Sequence, residues 1–94
     1  MNPQKLLDRL VDFAVNCAGY VSSLPRTIAN KIYGEQLIRS SSSPASNYAE
    51  SMGSVSKKEW SQKIGYCRKE TKESYVWLRV LTRINSKNLT TGKD

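Results

Sequence analysis

Two carboxylates, Glu70 and Glu73, lie three residues apart, a spacing of one helical turn that could suit paired acid/base catalysis. The composition argues against that chemistry. The chain has no histidine, which excludes His-based proton transfer and His-containing zinc sites. No nucleophile or metal ligand accompanies the carboxylates, and Arg39, Lys63 and Lys69 can pair with them instead. We therefore expect a non-enzymatic protein with no cofactor, metal or small-molecule substrate. Hydrolysis through Glu70 and Glu73 is the alternative.

A second polar group follows the helix predicted around residues 26–52, in line with Ile28 and Ile32. Within an arc of about 80° this group combines amides, a hydroxyl, a guanidinium and a carboxylate: Gln36, Arg39, Ser43, Asn47 and Glu50. A polar pocket or a row that contacts RNA is one interpretation. We favour an interior hydrogen-bond network in which Arg39 pairs with Glu50, Glu70 or Glu73, because a charge buried without a partner is strongly destabilising.

The basic excess of the chain is concentrated on one side of the third predicted helix. The sequence has 15 Lys and Arg against 8 Asp and Glu, for a net charge of +7. Five cations fall within an arc of about 80° and form a stripe about 40 Å long: Lys57, Arg68, Lys72, Arg79 and Arg83. Such a stripe suits phosphates and predicts salt-sensitive RNA or DNA binding with little sequence selectivity. A solvated face that maintains solubility is the alternative.

Aromatic residues and cysteines of the helices are expected mainly in contacts between apolar surfaces. Trp60, Tyr66, Tyr75 and Trp77 could stack on bases, but their helical spacing among aliphatic residues favours core or subunit contacts. Cys17 and Cys67 lie on apolar faces and are interpreted as small buried hydrophobic residues, with a redox role as the alternative. A mixed charged and aromatic flank is typical of an oligomer seam: Glu59, Lys63, Tyr66, Glu70, Glu73, Trp77, Val80 and Ile84.

Three long helices must position these groups, over about residues 3–21, 26–52 and 56–84. The apolar spacing predicts that the second helix has a neighbour on each of two sides. Residues 1–84 then form one helical domain, and residues 85–94, which are polar, are predicted to be a disordered tail. The apolar run of the first helix is interrupted by charged residues and makes neither a signal peptide nor a membrane span. With only 2 cysteines in the chain, we expect a cytoplasmic protein.

Local signals mark where these helices begin and where one is disturbed. Asn2-Pro3 suits an N-cap followed by proline in the first turn. Ser56-Lys57-Lys58-Glu59 fits a capping box. The serine run Ser40–Ser43 and Pro44 are a poor helix interior, which predicts a kink or a break recapped by Ser43.

Three blocks of the sequence resemble a known family. They are Gln36–Arg39 followed by Ser43–Glu50, then Ser56–Trp60, and then Lys69–Leu78, which contains the run Tyr-Val-Trp-Leu. Their order and separation are similar to those of the bacterial four-helix-bundle proteins encoded in the intervening sequences of 23S ribosomal RNA genes. With the first helix, the resemblance covers roughly residues 3–84.

The resemblance implies an all-α, antiparallel up-and-down helical bundle and a homo-oligomer, commonly a pentamer, with no established enzymatic activity. A distantly similar group accompanies reverse transcriptases of diversity-generating retroelements and binds nucleic acid through a basic surface. The motif match implies a characteristic polar set: Gln36, Arg39, Ser43, Asn47, Glu50, Glu70 and Glu73. Relatives continue into a fourth helix, which is missing or truncated here, so a neighbouring subunit is expected to cover the open side.

These observations favour a non-enzymatic, self-associating bundle that contacts RNA or DNA backbone along the five-cation stripe. The alternative is a purely structural protein-protein interaction module with no nucleic-acid role.

Overall fold

The chain is all-helical in the computed structural model, which describes the backbone of residues 2–93 and the side chains of residues 2–86. The helices are α1 (Pro3–Ser23), α2 (Ile28–Ser51) and α3 (Lys57–Lys93). No strand occurs within residues 2–93. The all-α prediction is therefore confirmed.

Capping hydrogen bonds fix the start of each helix. Asn2 Oδ1 accepts a hydrogen bond of 2.8 Å from the Lys5 backbone N–H, as its N-cap position requires. Thr27 caps α2 in the same way, accepting from the Asn30 N–H. At α3, Ser56 Oγ accepts from the Glu59 N–H, but the Glu59 carboxylate accepts from Val55 N–H, one residue before the donor that a capping box uses.

Helix α2 continues without a break through Pro44, so the predicted break recapped by Ser43 does not occur. Pro44 is fully buried, and its carbonyl oxygen accepts a hydrogen bond of 3.3 Å from the Cys67 thiol of α3. Ser43 Oγ instead donates back to the Arg39 carbonyl at 3.2 Å. Packing against α3 thus holds the helical path, although proline removes one backbone hydrogen bond.

Helix α3 is longer than predicted, because it continues beyond residue 84 to Lys93. The disordered tail expected at 85–94 therefore differs from the structure over residues 85–93. Asn85 is part of the reason: its side chain donates to the Leu81 carbonyl at 2.7 Å and pairs with Asn30 of α2. Polar composition limits burial, but it does not prevent a helix from extending.

The core is small and lies where all three helices contribute. Cys17 of α1, Leu37 of α2 and Leu81 of α3 are its buried hydrophobic centre. The partly buried side chains around this centre are mostly aromatic or large aliphatic: Phe13, Tyr20, Val21, Leu24, Tyr33, Trp77 and Leu78. Ile28, which the sequence places on an apolar stripe, is 80% exposed.

Helix α2 lies between the other two helices and packs against both, as its two apolar sides predict. Within the described residues, no Cα atom of α1 lies within 8 Å of a Cα atom of α3. The molecule is correspondingly elongated, with extents of 57 × 21 × 18 Å. One side of α2 therefore borders open space between α1 and α3.

Polar contacts join α2 to α3 along its length. Asn30 and Asn85 exchange two hydrogen bonds of 3.0 Å. The hydroxyls of Ser40 and Ser74, both fully buried, lie 2.8 Å apart. Other contacts involve higher residue numbers on α2 and lower ones on α3. No helix in the described part of the chain is long and apolar enough to cross a membrane.

Candidate nucleic-acid interface

The five-cation stripe is an exposed surface of α3. Lys57, Arg68, Lys72, Arg79 and Arg83 are all solvent-exposed. Because α3 is continuous from Lys57, the helical rise separates the first and last of these residues by about 39 Å. The uninterrupted helix thus keeps the cations in one row.

None of the five cations forms an ion pair with a described side chain. The acidic residues of α3 lie on the other side of the helix and have partners elsewhere. Glu70 and Glu73 pair with Arg39 of α2, and Glu59 accepts from the backbone of Val55. The separation of charge leaves the stripe electropositive and without an internal counterion.

An aromatic side chain interrupts the stripe, contrary to the expected core or subunit position. Tyr75 is 60% exposed and has no stacking partner among the described side chains. It lies eighteen residues, or five helical turns, after Lys57, and so has the same angular position. This phase relationship was available in the sequence and identifies Tyr75 as a functional candidate that the apolar pattern concealed.

The other aromatic residues of α3 divide between surface and core. Trp60 and Tyr66 are about half exposed, so the chain itself does not bury them. Trp77 packs on Tyr33 of α2 with ring centroids 5.7 Å apart, and its Nε1 donates to Glu73 at 3.2 Å. Trp77 therefore belongs to the α2–α3 contact and not to the stripe.

The predicted polar network forms in part, around Arg39. Its Nη1 donates to Glu70 at 3.2 Å, its Nη2 donates to Glu73, and its Nε donates to Gln36 at 3.3 Å. The Arg39 side chain is 48% exposed, so the network lies at the surface and not in the interior, which corrects our expectation. The geometry lets the guanidinium keep water on one side while two carboxylates neutralise it on the other.

The remaining members of the predicted set do not join Arg39 through their side chains. Glu50 forms a separate ion pair of 3.0 Å with Lys63. Asn47 donates to the Ser43 backbone carbonyl at 3.1 Å, so it acts within α2 alone. The Asn30–Asn85 pair, which the sequence analysis did not identify, is the more buried polar contact between the helices.

The groups that could support catalysis are engaged in structure. The Glu70–Glu73 pair holds a guanidinium. Burial raises the pKa of the Cys17 thiol, against a smaller lowering effect of its hydrogen bond with Ser41, and burial likewise raises the pKa of the Cys67 thiol. Both thiols are therefore protonated and weakly nucleophilic at neutral pH. No cluster of three Cys, Asp or Glu side chains suitable for a metal ion occurs in the described residues.

Comparisons of the chain with protein-family models, curated proteins and solved structures find no match.

Proposed function

We propose that this chain is a non-enzymatic helical protein that binds the phosphate backbone of RNA or DNA along α3. The observation that carries the proposal is the row of five exposed cations with no described acidic partner. Phosphates attract such a row without base-specific contacts, so binding is sequence-tolerant.

The position of Tyr75 favours a strand with accessible bases. Its exposed ring lies in the same row as the cations that flank it, Lys72 and Arg79. Stacking of one base on an aromatic ring contributes about 1–3 kcal/mol and tolerates any base. Single-stranded RNA or DNA is therefore the preferred form, with the backbone held by the cations and a base resting on Tyr75.

The proposed architecture is an antiparallel up-and-down bundle of the 23S rRNA intervening-sequence family. The opposite numbering of the α2–α3 contacts supports this arrangement. The lack of α1–α3 contact places these two helices diagonally, as in a bundle with four positions. The three sequence blocks support membership in the bacterial family and, through it, a cytoplasmic location.

Self-association is the second part of the proposal, with a pentamer implied by the family resemblance. The flank that contains Tyr66 and Trp77 offers the contact surface. Tyr66 is half exposed although it is a large aromatic residue, and Val80 and Ile84 on the same flank are only partly covered. Assembly through this flank would leave the five-cation stripe accessible.

The nucleic-acid proposal is tested by fluorescence anisotropy with a labelled single-stranded RNA at low salt. Wild-type protein is compared with the double variant Arg68→Glu/Lys72→Glu. The matched control, Lys5→Glu/Arg9→Glu, changes the net charge equally, because it reverses two exposed cations that are also four residues apart, but on α1.

We expect the α3 double variant to bind at least about tenfold more weakly, since it removes two phosphate contacts and adds repulsion. The α1 control should stay much closer to wild type. Tyr75→Ala should weaken binding to the single strand more than to a duplex. Absence of binding by wild-type protein at low salt, or equal losses in the two double variants, would reject the proposal and leave a protein-protein interaction module.

A further inference from the structure

An apolar groove lies between α1 and α3. The side chains of Leu6 and Leu10 form its α1 wall, Tyr48 of α2 contributes to the lining, and Ile64 and Cys67 belong to the α3 wall. Its volume is about 340 Å³. This α1/α3 groove is separate from the small core around Leu37.

The shape of the groove fits a helix. Both α1 and α3 pack on α2, but none of their described Cα atoms approach each other within 8 Å. Packed helices have axes about 8–10 Å apart, so a helix laid along the opening can contact α1 and α3 together. On α3 the lining runs from Ile64 to Lys72, which is about 12 Å or slightly more than two turns.

The charge of the groove selects among helices. Its α3 wall carries Arg68 and Lys72, both exposed and without ion pairs to described side chains, and its lining has no carboxylate. An occupant that follows this wall must place acidic groups beside the two cations to gain electrostatic complementarity. A basic or neutral helix would lack that stabilisation.

We propose that the α1/α3 groove binds an amphipathic helix of another protein, with an apolar face of about two turns and an acidic flank against Arg68 and Lys72. Two of the five stripe cations then serve both surfaces, so such a helix and nucleic acid compete for α3. The groove depends on the apolar lining and not on nucleic-acid binding, and the two proposals can fail separately.

The test uses a labelled, Ala-rich synthetic peptide of about 18 residues, long enough to favour a helix. Leucines at i, i+3, i+4 and i+7 spacing form its apolar face, and glutamates flank that face. A matched peptide has lysine at every glutamate position. We expect the glutamate peptide to bind the full chain at least about tenfold more tightly than the lysine peptide at low salt.

Two protein variants locate the binding. Leu6→Asp should abolish binding of the glutamate peptide, whereas Val11→Asp, an equally exposed position of α1 outside the groove lining, should preserve it. Neither variant should change RNA affinity. Arg68→Glu/Lys72→Glu alters only exposed side chains and should reverse the preference between the peptides, which keeps the test valid if Leu6→Asp unfolds by circular dichroism.

Several outcomes would overturn the proposal. These are equal binding of the two peptides, no binding of either, or equal effects of Leu6→Asp and Val11→Asp. Loss of self-association in folded Leu6→Asp protein, measured by sedimentation, would assign the groove to a second copy of this chain. Binding of laurate but of neither peptide would assign it to a lipid chain.

Discussion

Replacement of Gly34 by alanine tests how closely α1 and α2 approach each other. Gly34 is buried in α2, and a Cβ atom at this position would lie 2.7 Å from Cγ1 of Val21 in α1. Favourable carbon–carbon contacts are about 3.5–4.0 Å. A valine in a helix has one strongly preferred rotamer, so its methyl group cannot easily turn away. The added methyl group must therefore displace Val21 or the helix that carries it.

The net effect of Gly34→Ala combines two opposing contributions. Alanine is more favourable than glycine in a helix interior by about 0.8–1.0 kcal/mol. Insertion of a methyl group into a packed contact costs about 1–3 kcal/mol. We expect a net loss in the free energy of unfolding of about 0–2 kcal/mol. Gly19→Ala in α1 is the control, because its Cβ meets nothing within 4 Å, and it should increase stability.

Urea unfolding followed by far-UV circular dichroism at one protein concentration measures these differences. The decisive comparison is the double variant Val21→Ala/Gly34→Ala. Truncation of Val21 removes the obstructing methyl groups, so Gly34→Ala should become stabilising when it is added to Val21→Ala. If Gly34→Ala stabilises the otherwise wild-type chain as much as Gly19→Ala does, the close approach of α1 and α2 is wrong.

Three further predictions concern the core, the ion pairs and pH. Leu37→Ala should lower the free energy of unfolding by about 2–5 kcal/mol, and Ile38→Ala, at an exposed position, by much less; similar losses in urea unfolding would contradict the assigned core. Arg39→Met should cost about 1 kcal/mol or less, because the guanidinium is half exposed, and a loss above about 3 kcal/mol would indicate a buried pair. Since burial raises the pKa of the Cys17 thiol, the unfolded chain loses that proton first, so stability is complete below the ordinary thiol pKa and falls as the pH rises through and beyond it. Cys17→Ala should show a shallower decline in urea unfolding between about pH 7 and 10, and an unchanged decline would contradict this assignment.

Features that depend on neighbouring residues in the chain could be predicted from the sequence. The Asn2 cap, the start of α3 after Ser56 and the exposed row of cations follow from local hydrogen bonds and the helical period. The pairing of Arg39 with acidic residues on another helix was among the alternatives, because a guanidinium aligned with apolar residues needs a counterion.

Features that depend on contacts between helices could not be predicted in detail. The continuity of α2 through Pro44 reflects burial against α3, which local preference does not report. The buried pair of Asn30 and Asn85 joins residues whose separation in the chain gives no periodic signal. The close approach at Gly34 and the open groove between α1 and α3 both depend on how far apart the helix axes lie.

The salt dependence of RNA binding tests the central claim most directly. If the five-cation stripe releases one counterion at each contact with a single strand, log Kd should change with log salt concentration by a slope of magnitude about 3.5. Arg68→Gln/Lys72→Gln removes two contacts, and the slope should fall by about 1.4 while Lys5→Gln/Arg9→Gln leaves it unchanged. A slope near zero for the wild-type chain, or the same slope in the α3 variant as in the wild type, would contradict the assignment of α3 as the nucleic-acid interface.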